Sequence, residues 1–200
     1  MVNFQNPLQC WTLFTALAGC GLLLACAAPM TGSHEAARTG FTLESPGHAD
    51  NAMLARRYAG KNPANPNCLG DNVSPALAWA RAPAGTKSFA IIMDDQAGRA
   101  GLGVSHWVAY GMAATLSGLA EGDASAPSTQ FVAGKNSVGF DMYLGPCPPR
   151  GNAPQHYVFT LIATTLEPDA LKPGLNKAEL LDALKGKAIG AASLVQRYAH

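Results

Sequence analysis

The segment that most constrains the fold is YLGPCPPRGNAPQHY, residues 143–157, which holds four prolines and two glycines in fifteen positions. Proline fixes its own φ angle and has no N–H to donate to a sheet, so this segment is predicted to be a stiff, irregular loop. It leads directly into YVFTLIATT (157–165), whose β-branched and aromatic residues are typical of a strand. The chain therefore places a rigid loop, with Cys147 in its middle, at the mouth of a strand.

Four earlier segments also have the length and apolar content of strands. They are FTLES (41–45), ALAWARAP (76–83), KSFAIIMDD (87–95) and SHWVAYGM (105–112). The last two, and the strand after the proline loop, are apolar at successive positions, which indicates a sheet covered on both sides. Because 21 glycines and 14 prolines are scattered without a period, turns are favoured over a helical bundle. The sequence predicts a mainly β protein, an antiparallel β-sandwich.

The C-terminal part is predicted to be helical. Asn176 lies at an N-cap position and Glu179 follows at the capping-box position, with three leucines within 180–184 on one stripe. Gly186 ends this helix, and a second helix is predicted over about 188–197. The predicted fold is thus a sandwich with C-terminal helices appended.

The charge of the chain excludes one class of partner. Charged residues make up 14% of the chain, the formal net charge is +1, and the longest basic run is Arg56-Arg57. Binding to nucleic acid through phosphate neutralisation needs a basic stripe, so no DNA or RNA partner is expected. The sequence carries no Walker loop or other cofactor motif, and no cofactor is predicted.

Residues 1–26 are predicted to be an export signal. From Trp11 to Ala28 the chain carries no charge, and its first charged side chain is Glu35. An apolar core followed by small residues is typical of a secretory signal. LAGC, ending at Cys20, and LLAC, ending at Cys26, both resemble the motif that precedes the lipid-modified cysteine of bacterial lipoproteins. Cys26 is the preferred lipidation site because polar sequence follows it.

Two alternatives stay open for this segment. Cleavage at the A-x-A pattern of 25–27 would release a soluble protein, and the apolar stretch is nearly long enough for an uncleaved membrane span. Residues 27–40, AAPMTGSHEAARTG, are small and polar and are predicted to be a tether before a domain at 41–200. The expected location is therefore the periplasmic cell envelope, either lipid-anchored or soluble, with the N-terminal anchor as the only membrane contact.

Cys68 and Cys147 are the two cysteines that remain after processing near Cys26. An even pair in an oxidising compartment is a disulfide candidate, and two unpaired buried thiols are the alternative. A bridge would pin the proline loop to the turn NPNCLGDN (65–72). In the chain-entropy model it would stabilise the protein by roughly 4–5 kcal/mol.

Polar side chains cluster at the mouths of three predicted strands. Asp94 and Asp95 end one strand, His106 opens the next, and Gln-His-Tyr at 155–157 opens a third. Together with the proline loop these groups could line one pocket. Each also fits an ordinary structural role: paired aspartates often end a strand in a solvated turn, and a histidine among aromatic residues is often a core residue.

The order of four segments gives a more specific indication. They are NVSPALAWARAPAGTKSFAIIMDD (72–95), SHWVAYGM (105–112), YLGPCPPRGNAPQHYVFTLIA (143–163) and ALKGKAIGAASLVQRYA (183–199). In these segments the chain resembles the phosphatidylethanolamine-binding protein (PEBP) family, which includes the Raf kinase inhibitor proteins, and in particular its bacterial branch. The resemblance covers about 41–199 and depends most on the N-x-SP-x-L-x-W element at 72–79 and the Y-x-G-P-x-PP loop at 143–149.

The resemblance implies a β-sandwich with an anion pocket at the strand mouths, which in the family takes a phosphate, phosphonate or carboxylate group such as a phospholipid head group. The candidate ligand-binding residues are then Asp95, His106, Tyr143, Gly145, Pro146, Pro149, Gln155, His156 and Tyr157. Backbone N–H groups of the loop, an imidazole and a phenolic O–H would be the donors. Because prolines hold the loop before the ligand arrives, little ordering entropy would be lost.

The sequence departs from the family at two motifs. Gln96-Ala97 stands where the family has Pro-Asp after the first aspartate, so a second carboxylate is absent. Gln155-His156 stands where the family has His-Arg, so the arginine that partners the aspartates is also absent. We therefore expect the pocket to be kept with an altered ligand preference, and weak anion binding that improves at acidic pH as His106 and His156 charge.

The expected function is a non-catalytic binding protein for a small anionic ligand or phospholipid head group, which modulates a partner protein that the sequence does not identify. One alternative is a protease or kinase inhibitor that acts through surface loops, and a second is a hydrolase that uses the same pocket. The one nucleophile expected near the pocket, Cys147, would be consumed by the disulfide. A metal site from Asp95, His106 and His156 matches no metal motif and is not predicted.

Overall fold

The structure is a computed structural model that describes residues 40–200. The strands of this range are, in chain order, β1 (Thr42–Glu44), β2 (Ala52–Met53), β3 (Leu77–Ala80), β4 (Ser88–Asp95), β5 (Val104–Ala113), β6 (Gly118–Leu119), β7 (Val132–Ala133), β8 (Gln155–Thr164) and β9 (Ala188–Tyr198). The helical segments are a 3-10 turn at Arg56–Tyr58, the single turn α1 (Gly98–Gly101) and helix α2 (Lys177–Ala183). The mainly β character that the sequence predicts is confirmed.

The strands form two sheets that share a core. The larger sheet has the strand order β2-β9-β8-β4-β5-β7, and the smaller sheet has the order β1-β3-β6. Neighbouring strands are antiparallel except for the short edge pair of β2 with β9, which is parallel. The predicted β-sandwich is therefore confirmed.

The larger sheet is buried on both faces, as its apolar strands predict. Along β4, Ile91 and Met93 join the core between the sheets, which also contains Trp79 of the smaller sheet. Ile92 faces the opposite way and packs in a second cluster with Leu180 of α2. Successive residues of a strand point to opposite faces, so the same alternation decides what the polar residues at the end of β4 can reach.

Helix α2 begins as the sequence predicts. The Asn176 side chain accepts a hydrogen bond from the Glu179 backbone N–H at 3.1 Å, and the Glu179 carboxylate accepts one from the Asn176 N–H at 2.9 Å. This reciprocal pair satisfies two donors that have no partner within the helix. The first C-terminal helix is therefore confirmed.

The second predicted helix, over about 188–197, is wrong, because Ala188–Tyr198 forms strand β9. Its alanines favour a helix locally, but β9 pairs with β8 along the whole of that strand. Leu194, Gln196 and Tyr198 are buried and the residues between them are less so, which is the two-residue period of a strand. Long-range pairing therefore overrides local propensity here.

The N-terminal predictions lie largely outside the described residues. The export signal, the lipidation site at Cys26 and most of the tether at 27–40 precede residue 40. Strand β1 begins at Thr42, next to the domain boundary predicted at residue 41. Within 40–200, no helix combines the length and the apolar character that crossing a bilayer requires.

A candidate ligand pocket at the strand ends

Three neighbouring strands of the larger sheet open onto a pocket of about 870 Å³. In the order β8-β4-β5, strand β4 ends at the point where its two antiparallel neighbours begin. Asp95 of β4, His106 of β5, and Gln155 and Tyr157 of β8 therefore lie together in the pocket wall. Asp95 and Tyr157 are direct cross-strand partners.

The alternation of side chains decides which predicted residues reach the pocket. Asp95 and Tyr157 continue the sandwich-facing positions of their strands and are buried. Asp94 faces the other side of the sheet, where its carboxylate lies 2.6 Å from the ammonium of Lys177. His156 also faces away from the pocket, is exposed, and is not part of the pocket wall. The geometry therefore gives no support to a ligand role for His156.

The His106 side chain is almost fully buried and is oriented by two contacts. Its Nδ1 lies 2.7 Å from the Leu144 carbonyl oxygen, and its ring stands edge-on to the Tyr157 ring, with the ring centroids 5.1 Å apart. Because a carbonyl oxygen only accepts, Nδ1 carries the proton and Nε2 of the neutral ring is an acceptor. Burial lowers the pKa of His106, against smaller opposing effects of the Leu144 carbonyl and the nearby Asp95. The imidazole is therefore neutral at pH 7.

The phenolic group of Tyr157 is the complementary donor. Its O–H donates to Oε1 of Gln155 at 3.2 Å. Burial, and then the negative charge of Asp95, raise the pKa of Tyr157, so the phenol keeps its proton across the physiological range. A ligand oxygen in the pocket could replace Gln155 as the acceptor of this proton.

Asp95 has a structural role beside its place in the pocket. Its Oδ1 accepts hydrogen bonds from the backbone N–H groups of Ala97 at 2.9 Å and Gly98 at 3.1 Å. A side chain that bonds to its own backbone two and three residues on fixes a tight turn. This turn carries Arg99 to the pocket rim, and it places Ala97 in the pocket wall.

The proline loop forms the opposite wall and is tied to the segment that follows the 3-10 turn. The Tyr143 O–H donates to the Tyr58 carbonyl at 2.9 Å, and the Gly60 N–H donates to the Pro146 carbonyl at 2.9 Å. The Asn72 side chain donates to the Tyr143 carbonyl at 3.0 Å. Tyr143 and Pro146 are buried behind the wall and do not line the pocket, so their role is to hold the loop.

Two backbone donors of the loop are already in use, and one of them belongs to the predicted ligand residue Gly145. The Gly145 N–H donates to the Asn72 side-chain oxygen at 2.8 Å, and the Leu144 N–H donates to the His106 carbonyl at 3.0 Å. The expectation that loop amides point at an anion is therefore wrong for these two residues, because the loop needs them for its own attachment. Gly145 and Pro149 do line the pocket, as predicted.

The predicted disulfide joins Cys68 to Cys147, and both residues line the pocket. It connects positions 79 residues apart in the sequence. Two glycines, Gly60 and Gly145, allow the proline loop to lie close to the backbone at 58–60. A β-carbon at Gly60 would collide with the Cys147 sulfur, and one at Gly145 would collide with the backbone of Tyr58 and Gly60.

The rim of the pocket is formed by residues that the sequence does not predict. The rim contains two cations, Lys61 and Arg99, and two apolar side chains, Val138 and Phe140. The Arg99 guanidinium donates to the Ser137 carbonyl at 2.8 Å, which ties the turn after β4 to the loop at 137–140. These residues lie on irregular segments, where no periodic pattern shows which side chains meet.

Within 40–200, no group of three or more His, Cys, Asp or Glu side chains has a geometry that could hold a metal ion. Asp95 and His106 share the pocket, whereas His156 points to the opposite face of β8.

Taken together, these elements define a β-sandwich protein with a preformed pocket at one edge of its larger sheet. Residues 44–199 match the model of the family described as phosphatidylethanolamine-binding protein. The match extends over well more than half of the chain, so the chain belongs to this family. The resemblance inferred from the sequence is confirmed.

Individual relatives agree with this assignment. A UPF0098 protein of Aquifex aeolicus is 32% identical over 161 residues, which covers 79% of this chain and 94% of that protein. LppC of Mycobacterium tuberculosis, named as a candidate lipoprotein, is 35% identical over 161 residues, which covers 78% of this chain and 70% of LppC. The crystal structure of Escherichia coli YbcL, described as a new member of the mammalian PEBP family, matches with a TM-score of 0.71 and 28% identity, over 80% of this chain and 98% of YbcL.

Proposed function

We propose that this chain is a non-catalytic binding protein whose pocket takes a small oxyanion, namely a phosphate, phosphonate or carboxylate group such as that of a phospholipid head group. The observation that carries the proposal is the pairing of His106 with Tyr157 in one pocket wall, with ring centroids 5.1 Å apart. Membership of a family described by phospholipid binding supports it.

The two groups have opposite hydrogen-bonding character. The Tyr157 O–H donates, and Nε2 of the neutral His106 ring accepts. An anion that carries its own proton, such as a phosphate monoester in its monoanionic form, matches both groups, since its P–OH donates and its P–O⁻ accepts. An anion without a proton matches both only after His106 takes up a proton, so its affinity rises as the pH falls.

The charges around the pocket favour an anion only modestly. Lys61 and Arg99 at the rim contribute two positive charges, and Asp95 in the wall contributes one negative charge. Since exposed rim charges are screened by salt, they direct an anion to the pocket more than they fix it there. Recognition therefore depends mainly on the buried imidazole and phenol.

Two contacts support a binding role over a hydrolytic one. The thiol of Cys147 is bonded to Cys68 and is not available as a nucleophile. The Nδ1 of His106 is bonded to a carbonyl oxygen, whereas a general base of the triad type is oriented by a carboxylate. These two contacts favour a pocket that holds a group over one that transfers it.

The direct test is a titration of the full chain with methyl phosphate, followed by NMR amide shifts. We expect saturable shifts at His106, Tyr157 and Gly145. His106→Gln should weaken binding by roughly five- to tenfold, as expected for the loss of one hydrogen bond to a charged ligand. The matched control is His156→Gln, which alters an exposed histidine on the opposite face and should change the affinity less than about twofold. Equal effects of the two variants, or an absence of saturation, would contradict the proposal.

The non-catalytic part has a separate test. Wild-type protein and the His106→Gln variant would be assayed with generic ester, phosphate-ester and peptide substrates. We expect no turnover by either protein. Turnover that disappears in the His106→Gln variant would show that the pocket is an active site.

We also propose that the protein is attached to the cell envelope by a lipid at Cys26. The lipoprotein name of LppC, which is 35% identical to this chain, supports this location. Mass spectrometry of the mature protein should show an acylated N-terminal residue, which Cys26→Ser abolishes. Cys20→Ser is the matched control and should leave the acylated mass unchanged. Loss of the lipid in the Cys20→Ser variant but not in the Cys26→Ser variant would assign the lipidation site to Cys20.

A further inference from the structure

Exposed apolar side chains are concentrated beside the pocket mouth. Leu102 is 88% exposed, Phe140 58% and Val138 48%, and all three lie on two adjacent loops. Val138 and Phe140 line the pocket, and Leu102 lines the neighbouring depression. The hydrogen bond from Arg99 to the Ser137 carbonyl joins the two loops, so the three side chains belong to one surface.

The turn that presents Leu102 is a strained one. Arg99 and Ala100 have φ angles of 50° and 57°, in the left-handed region that costs a non-glycine residue on the order of 1 kcal/mol. Leu102 follows after Gly101 and buries almost none of its side chain against its own protein. Strained backbone is enriched at ligand clamps and switch regions, so an exposed leucine beside such a turn favours a contact outside the molecule.

Positive charge surrounds these apolar side chains. Lys61 and Arg99 lie at the pocket rim, and Lys135 lines the depression next to Leu102. On the acidic side, Asp141 is exposed next to Phe140 in the sequence, whereas Asp94 is paired with a lysine and Asp95 is buried. The surface therefore combines projecting apolar side chains with an excess of cations.

This combination matches the boundary of an anionic bilayer. Apolar side chains stabilise binding when they are buried in the region below the head groups. Each nearby Lys or Arg adds about 1 kcal/mol of attraction to anionic lipids. Leu102 projects alone from its turn, which suits insertion among lipids better than packing against a flat protein surface. The pocket opens between the same loops, so a docked protein would face lipid head groups.

We propose that the surface formed by Leu102, Val138, Phe140, Arg99 and Lys135, here called the rim surface, docks on anionic phospholipid bilayers. The pocket then takes its oxyanion from a membrane lipid rather than from free solution. The identity of the pocket ligand rests on the function proposed above, whereas the docking is a separate contact.

The test uses the full chain bound to nanodiscs that contain a spin-labelled lipid, with NMR broadening of amide signals as the readout. In nanodiscs that contain phosphatidylglycerol, signals at 98–103 and 137–141 should broaden at least about threefold more than those at Met53 and Ile189. These two are also exposed apolar residues, at 45% and 38%. In pure phosphatidylcholine the preference for the rim surface should weaken, because the cations lose their partners.

The double variant Leu102→Ser, Phe140→Ser should reduce the broadening at the rim surface by at least about threefold. Its matched control is Met53→Ser, Ile189→Ser, which removes apolar side chains elsewhere and should leave the broadening unchanged. Equal broadening over all surfaces, or broadening at another face, would overturn the proposal. If signals at the rim surface change with protein concentration in the absence of lipid, the rim surface binds a second copy of the chain instead of a bilayer.

A third comparison separates the two proposals. Leu102 does not line the pocket, so Leu102→Ser should bind soluble methyl phosphate like the wild type while it docks less well. His106→Gln should bind methyl phosphate less well while it keeps most of the broadening at the rim surface, since the rim residues make the docking contact. Anion binding without docking would remove the docking proposal alone, and docking without anion binding would remove the pocket proposal alone.

Discussion

The two walls of the pocket are held in place by different means. Asp95, His106 and Tyr157 belong to neighbouring strands, and the backbone ladder of the larger sheet fixes their spacing. The proline loop at 143–149 lies outside any strand, and a disulfide, the Asn72 side chain and close backbone contacts fix it instead. A proline-rich segment lacks the donors for sheet pairing, so its position has to come from covalent and side-chain ties. Damage to the loop wall should therefore leave the strand wall largely in place.

The largest effect is expected from removing the disulfide. The double variant Cys68→Ser, Cys147→Ser should lower the free energy of unfolding by about 4 kcal/mol, since it frees a loop of this length in the unfolded chain. Urea denaturation measures this loss, and wild-type protein under reducing conditions should match the variant. Amide shifts in β4, β5 and β8 should change little. A loss below about 1 kcal/mol would show that the non-covalent ties hold the loop by themselves.

A single methyl group in the loop wall should have the next largest effect. Gly145→Ala places a β-carbon against the backbone of Tyr58 and Gly60, which cannot move aside as a flexible side chain could. We expect a loss of about 3 kcal/mol in unfolding free energy. Gly40→Ala is the control, since nothing lies within 4 Å of its added carbon. Equal stability of the two variants would contradict the close approach of the loop.

The Asn72 side chain should contribute less than either of these. Asn72→Gly keeps the left-handed backbone, at φ 59°, and removes the hydrogen bonds to Tyr143 and Gly145, for a loss of about 2 kcal/mol. Asn51→Gly is the matched control. Asn51 has a φ angle of 63°, and within residues 40–200 its side chain makes no hydrogen bond. Thermal denaturation of both variants measures the difference. A loss in the Asn51 variant as large as that in the Asn72 variant would attribute the effect to backbone entropy.

The smallest predicted effect concerns the strand wall and depends on pH. Burial lowers the pKa of His106 in the folded protein below the value of about 6.5 that it has in the unfolded chain. Between the folded and the unfolded pKa, the unfolded chain therefore binds a proton that the folded chain does not. This group therefore favours folding above its unfolded pKa, and that contribution is lost as the pH falls, by up to about 1.4 kcal/mol per pH unit.

Unfolding free energies measured between pH 5 and 7 would check this prediction. His106→Gln should flatten the dependence on pH, because glutamine does not titrate. His156→Gln serves as the control and should keep the slope of the wild type. Identical slopes for all three proteins would show that His106 does not cause the acid sensitivity.

The sequence predicts most reliably what short-range patterns determine. Strands β4, β5 and β8 are continuous apolar runs bounded by turn residues, and the capping box of α2 lies within four residues. Strand β9 is different, because its alanine-rich start favours a helix and only its pairing with β8 makes it a strand. The two-residue strands β2, β6 and β7 likewise exist only through their partners and have no sequence pattern of their own.

The candidate site also combines features that short-range patterns predict with features that depend on long-range contacts. The sequence predicts Gln155, His156 and Tyr157 in the pocket, yet the alternation along β8 brings only Gln155 and Tyr157 into its wall. Alternation itself is readable from the sequence, but which face of β8 turns to the pocket follows from the register of the sheet. The sequence does not predict Lys61 and Arg99 in the site, because contacts between irregular segments bring them to the rim.

Strand β9 is the last strand of the described residues, and yet it occupies the second position in the larger sheet and pairs with β2 near the start of the domain. Backbone N–H groups of Asn51 and Leu54 donate to the carbonyls of Val195 and Arg197, each at 2.8 Å. The larger sheet therefore cannot form its pairings of β9 with β2 and β8 until residues 188–198 have left the ribosome. Truncation before β9 would remove a strand from within the larger sheet. It would leave the edge of β8 unpaired, and an unpaired strand edge is a template for aggregation.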